Sequence, residues 1–435
     1  MNGSSSHKTR TLWLCGVLHA FTHIYHVALF PLYLPLQKDL KLATIEAATL
    51  LVTAMMIAYF APSYALGALA DTMSRKKLLA LGLTINGAAF IGLSFAPNYL
   101  MALVCVSLAG FGGSFFHPAA TAMVARLFPV GTGRALGLLG IGASVGFFFG
   151  PLYAGWRAQT AGWRAPVLEL GLLGLLAAGV FAWLAEEETT PSAATQAGPC
   201  RRPVFPTPGR WIIFAAASLL FGLRDFAGSS MGSLGSLFMQ NAHGFNLKET
   251  GIALSGMFLA AIISNPLFGH LSDRGRIRWT TLVLIIATAL VAIFPRMPPE
   301  WLVPTYALYG FFFMASYPMV EAALMDSVPD SVRGRVFGFF ITIGGLVGNL
   351  SHWMAGGWVK RLGAAAHTPT AYYPLYLTLS GLLFLALFGL PCLHAIRRRE
   401  HPPDRATDQQ VARPSPLRAS QGQSTVSDNT QGADR

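Results

Sequence analysis

Gly67-Ala68-Leu69-Ala70-Asp71 and Gly269-His270-Leu271-Ser272-Asp273 are two copies of the pentad G-x-L-x-D, 202 positions apart, each closing a long apolar run and preceding a basic cluster. The offset recurs, give or take two, along the chain. His117-Pro118 matches Tyr317-Pro318, Pro129 matches Pro329, Gly133-Arg134 matches Gly334-Arg335, Gly142 and Gly146 match Gly344 and Gly348, and Gly155-Trp156 matches Gly357-Trp358. Self-similarity at one fixed spacing is the mark of an internal duplication. When the duplicated unit is itself a set of apolar spans, the two copies stand side by side in the bilayer with an interface between them.

The runs between these landmarks are apolar enough to need lipid. Over 435 positions, 53% of residues are hydrophobic and 11% charged, more apolar surface than one water-soluble core could hide. Twelve stretches reach the roughly 20 residues that cross a bilayer as a helix: 12 to 36, 46 to 70, 78 to 96, 99 to 125, 134 to 158, 164 to 185, 211 to 239, 250 to 271, 280 to 296, 301 to 325, 335 to 359 and 372 to 395. The expected fold is an all-α membrane protein. Its domains read as a cytoplasmic N-terminus over 1–11, a first six-helix bundle over 12–185, a linker over 186–209, a second bundle over 210–395 and a tail over 396–435.

A net charge of +12 would suggest nucleic acid in a soluble protein, but its distribution argues otherwise. With the N-terminus inside and the spans alternating, most of the 31 Lys and Arg fall on the inner side, among them Arg75, Lys76, Lys77, Arg274, Arg276, Arg278 and Arg397 to Arg399. That asymmetry is the positive-inside pattern. It places both termini in the cytoplasm, fits a bacterial-type inner membrane, and removes the need for a nucleic-acid partner. Lys8 and Arg10 precede a first span too long for a signal-peptide core, so that span is expected to stay in place. Cys15, Cys105, Cys200 and Cys392 show no paired or metal-type spacing and read as small core residues or free thiols. The linker opens on Glu186, Glu187 and Glu188 and ends near Arg201-Arg202-Pro203. The tail is rich in Arg, Asp, Gln, Ser and Pro and is expected to be disordered.

Twelve spans, the repeat, the linker and the motif between spans two and three together resemble the major facilitator superfamily, whose fold is two pseudosymmetric six-helix bundles. The motif reads Gly67-Ala68-Leu69-Ala70-Asp71-Thr72-Met73-Ser74-Arg75-Lys76-Lys77. The usual form has Arg where Thr72 stands and Gly where Ser74 stands; the second copy, through Gly269, Asp273, Arg274 and Arg276, is one residue shorter. The resemblance implies an inner gate in which Asp71 and Arg75 latch one conformation, a carboxylate set against a helix N-terminus and a guanidinium. Asp326 is expected to support the same gate. Gly146-x3-Gly150-Pro151-x3-Gly155 in span five looks like the family's antiporter-associated motif, with Ala154 in place of one closing glycine. The aligned positions in span eleven, Gly348, His352, Trp353 and Gly357, lack the Gly-Pro. More weakly, Phe116-His117-Pro118-Ala119-Ala120 and the His-rich first span look similar to the fosmidomycin-resistance branch of exporters.

Ionisable side chains at membrane depth are costly and usually face a cavity or a partner. His19, His23 and His26 lie in span one, His117 in span four, Arg224 and Asp225 in span seven and Glu321 in span ten, while Glu169 and His352 fall in spans six and eleven. By the resemblance, spans one, four, seven and ten line a central cavity, so the first seven residues are candidates for substrate contact or proton coupling. His19, His23 and His26 follow i, i+4, i+7, one stripe of a helix. Three chemistries fit such a stripe: proton coupling or anion binding, interhelical hydrogen bonding, and transition-metal binding. A metal would prefer acidic or sulfur ligands as well, which span one does not supply, so neither metal nor cofactor is expected. The offset sets His23 opposite Asp225, and Arg224 needs an anionic partner in Asp225, Glu321 or substrate. Aromatics such as Tyr25, Phe115, Phe116, Phe311, Phe312 and Tyr317 either pack or stack on a ringed solute.

The sequence therefore predicts a monomeric secondary transporter of a small organic solute working by alternating access, with proton-coupled antiport in the export direction first and proton-coupled import of an organic anion or nutrient second. A sensor or enzyme on the same fold is remote. The chain carries no phosphate-cradling loop, no H-E-x-x-H and no paired carboxylates on one span.

Overall fold

The computed structural model describes residues 2–130, 132–187, 204–205, 207–329 and 332–400. Most of the expected linker and the tail beyond Glu400, with its expected disorder, lie outside the described residues, as does Cys200. Among the described residues every regular element is helical. The first half holds α1 (Asn2–Val27), α2 (Tyr33–Asp39), α3 (Ile45–Phe60), α4 (Ser63–Thr72), α5 (Arg75–Ser94), α6 (Tyr99–Ser114), α7 (Phe116–Leu127), α8 (Thr132–Ala161) and α9 (Arg164–Leu184). The second holds α10 (Pro208–His243), α11 (Leu247–Ser272), α12 (Arg276–Ile293), α13 (Pro299–Asp326), α14 (Arg333–Leu362), α15 (Tyr373–Leu385) and α16 (Gly389–Glu400).

Eleven helical segments among the described residues are long and apolar enough to cross a membrane, and the expected second span is the shorter helix Ile45–Phe60 continued by α4. Pro62 divides it, because a proline has no N–H to carry the helical ladder onward. Pro118 divides span four in the same way. It leaves the Ser114 carbonyl without an i+4 donor, α6 ends at Ser114, and α7 restarts at Phe116 with His117 in its first turn. α1 begins at Asn2, earlier than the apolar run, because polar residues end an apolar face without ending a helix. Elsewhere the helix ends follow their local chemistry. Asn98 caps α6 through Met101 N–H, a reciprocal Asn246 and Glu249 capping box opens α11, and Gly244 at φ 69° closes α10 in the left-handed region that side chains disfavour.

Packing follows the repeat. α1 lies on α8 as α10 lies on α14, α3 on α6 as α11 on α13, and α5 on α9 as α12 on α15. Two main seams join the halves, α8 against α11 and α14 against α3, with a smaller contact of residues 30–32 on α10 and α11. Cys15 and Cys105 are buried and Cys392 is half-buried, and none of the three is in a disulfide among the described residues.

Candidate functional site

Two groups of ionisable side chains occupy the helices that the repeat makes equivalent, one in each half. In the first half the α1 stripe holds as expected. His19 and His23 are one helical turn apart, with 3.2 Å between their Nε2 atoms. His19 Nδ1 lies 2.8 Å from the Leu139 carbonyl of α8, which fixes the proton on Nδ1. The break before α7 brings His117 to them, its ring 5.2 Å from His19 and 5.7 Å from His23 between centroids. Aromatic rings flank the group: Phe116 stacks on His19 at 4.7 Å, Phe147 on His23 at 4.3 Å, and Tyr59 stands edge-on to His117. His26 continues the stripe, 5.8 Å from His23. His19 and His26 are buried, His23 half-buried and His117 exposed. Tyr25 is a core residue whose hydroxyl reaches the Leu170 carbonyl at 3.4 Å.

In the second half Arg224 is 1% exposed and pairs with its neighbour Asp225, Nε and Nη2 lying 2.9 and 2.8 Å from Oδ1. Adjacent helical residues normally diverge by about 100 degrees. The long arginine stem folds back to close that gap. Its guanidinium lies 4.1 Å from the Tyr317 ring centroid and 5.6 Å from that of Phe221, and Nη1 donates to the Ser316 carbonyl at 3.4 Å. Glu321, one turn along α13 from Tyr317, is close enough to feel the same charge. Two glycines of α14 make room for the carboxylate: a Cβ at Gly344 would come within 2.8 Å of Asp225 Oδ2, and one at Gly348 within 2.9 Å of Asp225 Cβ. None of the described contacts joins His23 to Asp225; each packs within its own half.

A third polar group, missed as a unit by sequence reasoning, crosses between the halves. Tyr33 donates to Ser233 Oγ at 2.7 Å, Ser233 to His352 Nδ1 at 2.7 Å, His352 Nε2 to Asn349 Oδ1 at 3.0 Å, and Asn349 Nδ2 to the Gly345 carbonyl at 2.7 Å. The carbonyl and amide ends fix the direction of the whole chain. Ser236 adds a bond to the Phe30 carbonyl and Gln240 one to that of Pro31. The signal for it was Ser233, Ser236 and Gln240 at i, i+3, i+7, a polar stripe in an apolar span. Glu169 belongs to a structural pair instead, bonded to Arg157 and Tyr153 between α8 and α9.

The gate motifs are partly described. The side chain of Asp71 and residue Gly67 lie outside the described side chains, so the expected latch does too; Arg75 Nε donates to the Ala70 carbonyl at 3.1 Å and Lys76 is half-exposed. In the second copy Arg276 binds Asp326 at 2.5 Å and approaches Asp273 at 3.7 Å, while Arg274 is exposed and a Cβ at Gly269 would meet open space. Span five serves both of its neighbours. Cβ atoms at Gly142 and Gly146 would strike the Gly16 and Ala20 carbonyls of α1, and one at Gly150 would come within 2.7 Å of Val27. Gly155 faces the Leu247 carbonyl and Gly251 of α11 in the other half, and Gly251 in turn faces the Pro151 carbonyl.

The Major Facilitator Superfamily profile matches residues 12–352 and 218–421. The chain is 28% identical over 314 residues to the multi-drug resistance efflux pump PmrA of Streptococcus pneumoniae, covering 69% of this chain and 76% of that one. It is 22% identical over 356 residues to the fosmidomycin resistance protein of Escherichia coli, covering 79% and 86%. Among solved structures it superposes with TM-score 0.73 and 15% identity on an inward-facing, unoccupied bacterial homolog of the human lysosomal transporter Spinster, over 92% of this chain and 98% of that one.

Proposed function

The chain belongs to the major facilitator superfamily, and on that premise we propose that it exports a small organic solute in exchange for protons. It is a membrane transporter rather than an enzyme, and alternating access follows from its architecture: a solute held between two rigid halves is released to one side or the other as they rock. The observation that carries the coupling is the buried Arg224–Asp225 pair. A carboxylate at membrane depth can exchange its guanidinium partner for a proton, and the guanidinium so released is a counter-charge for an anionic group on the solute. Glu321, one turn along α13 from Tyr317, offers a second carboxylate in the same half, and the α1 histidines with His117 offer further proton-carrying groups in the other half.

Export is supported by the Gly146 to Gly155 motif of span five and by relatives named as efflux pumps and resistance proteins. The charge asymmetry supports a bacterial inner membrane with both termini cytoplasmic, and a monomer completes the reading. A second reading, import of an organic anion with protons, is favoured by Arg224 itself, since guanidinium matches carboxylate geometry.

Inside-out vesicles with an imposed pH gradient test the coupling. Arg224→Lys and Asp225→Asn are expected to lose gradient-driven accumulation, and unimpaired transport in both variants would overturn the reading. A deletion strain separates the directions: lowered tolerance to candidate solutes supports export, and raised tolerance supports import.

A further inference from the structure

We infer that His19, His23 and His117 form a binding site for a divalent first-row transition ion, with Zn2+ the best fit. One ring nitrogen of each residue lies within 4.8 Å of the other two. The closest pair, His19 Nε2 and His23 Nε2, is 3.2 Å apart. Two imidazole nitrogens on a tetrahedral zinc are about 3.3 Å apart, the edge set by Zn–N bonds of about 2.0–2.1 Å. The first two ligands therefore already stand at coordination spacing, and the third needs only a side-chain adjustment.

The backbone holds the three in place. His19 and His23 share one face of α1 a single turn apart, and His117 is carried in by the first turn of α7, which exists because Pro118 breaks span four. The sequence set His19, His23 and His26 on one stripe of span one; the fold gathers the first two with His117 from another helix instead of with His26. His19 also has the outer partner that zinc-binding histidines carry, a backbone carbonyl on its far nitrogen, which leaves the Nε2 lone pair facing His23. His23 Nδ1 is buried with no hydrogen-bond partner, so His23 lacks the outer partner that His19 has, and the Nε2 proton it shares with His19 in the metal-free protein moves to Nδ1 when the ion enters.

Access is graded from buried His19 through half-buried His23 to exposed His117. The ion enters from the His117 side, and the fourth coordination position remains open there. Three imidazoles without thiolate or carboxylate suit zinc, copper or nickel and not magnesium or calcium, which demand oxygen ligands. Because all three ligands are neutral, the ion keeps its full charge, and the open position favours an anionic oxygen donor, whether hydroxide or a group on a solute.

The test needs no transport, so its outcome is separable from the functional reading. The full chain, freed of any affinity histidines and purified in detergent, is titrated with Co2+, read by the visible absorption of a tetrahedral ion, and with Zn2+ by calorimetry. One saturable equivalent is expected, with binding weakened roughly 100-fold or more in His23→Ala and in His117→Ala, since loss of a direct ligand exceeds the 10–100-fold effect of an outer partner. His352→Ala and Arg224→Lys are expected to bind as the unaltered protein does. His117 is exposed, so its variant is expected to stay folded, and thermal unfolding checks that. Absence of saturable binding, or binding that survives His117→Ala in a folded protein, overturns the site.

Discussion

The two seams between the halves occupy equivalent places in the repeat and are built from opposite chemistry. Where α8 crosses α11, Gly155 faces Gly251 and backbone lies on backbone. Where α14 crosses α3, Gly356 meets Thr49, and Thr53 Oγ1 both donates to the Asn349 carbonyl at 2.9 Å and accepts from Trp353 N–H at 3.0 Å. Asn349 and Trp353 are an i, i+4 pair, so the Thr53 hydroxyl engages both ends of one helical hydrogen-bond step of α14. The 202 register pairs Trp353 with Pro151, whose missing N–H opens the same step in α8. Both helices are thus weakened at the same level. One opening is covalent and permanent; the other is made by the opposite half. Side-chain insertion and proline are the two common causes of helix bending, and here only the inserted hydroxyl depends on how the halves are docked.

The largest effect is expected at the glycine seam. A Cβ on Gly251 would collide with the Pro151 carbonyl, whereas one on Gly256, further along the same helix, would meet only Ala307 Cβ at 3.7 Å. Gly251→Ala is expected to cost about 1–3 kcal/mol through overpacking, with loss of transport. Gly256→Ala is expected to be neutral or to gain up to about 1 kcal/mol from helix propensity. Thermal unfolding in detergent beside a transport assay reads both. Equal behaviour of the two variants would show that the close backbone approach has no energetic weight.

The middle effect is expected at Thr53. Thr53→Val keeps the shape and removes the hydroxyl, and because Trp353 N–H can return to the Asn349 carbonyl, the net cost is about 1 kcal/mol. The lost bonds exist only while the halves are docked as here, so that amount shifts the balance of conformations roughly fivefold. The control is the register-equivalent Ser255 of α11, whose hydroxyl is buried without a partner. Ser255→Ala is expected to stay within about 0.5 kcal/mol or to stabilise slightly, since an unpaired buried hydroxyl is a cost. Spin-label distances across the Thr53 seam measure the shift. A shift from Ser255→Ala as large as that from Thr53→Val would erase the contrast.

The repeat was legible because its evidence is one-dimensional: an offset counted along the chain survives folding, and the helix pairings obey it. The His19, His23 and His26 stripe was legible for the same reason, since helical spacing alone puts them on one face. What the offset could not supply is contact. It relates His23 to Asp225 by symmetry, yet symmetry-related residues have equivalent surroundings and need not touch: His23 rests on Phe147 and Asp225 on Gly344 and Gly348. Thr53 and Asn349 are 296 residues apart, and nothing local to either marks the bond. The second span keeps its place but is divided into two helices at Pro62, a break that apolarity and length do not register.

The smallest effect is expected at the rim of the hydrogen-bonded seam, where Lys360 Nζ meets Glu46 Oε2 at 2.8 Å with side chains 50% and 24% exposed. The glycine seam has Lys248 and Ala158 at the equivalent positions, which cannot form such a pair, and among the described residues Gln159 accepts there from Leu247 N–H at 3.1 Å. An exposed pair contributes about 0.2–1 kcal/mol, and screening shortens its reach to about 8 Å at physiological ionic strength. A double-mutant cycle of Glu46→Gln and Lys360→Met is expected to give a coupling energy in that range that fades as salt is raised. Thr53, being buried, is expected to keep its effect at the same salt. The two dependences separate the parts of the seam: a salt-sensitive rim adds to a salt-insensitive centre. If the coupling of Glu46 and Lys360 instead resisted salt and exceeded that of Thr53, the seam would be closed by its charged rim, and the inserted hydroxyl would follow the docking of the halves rather than hold it.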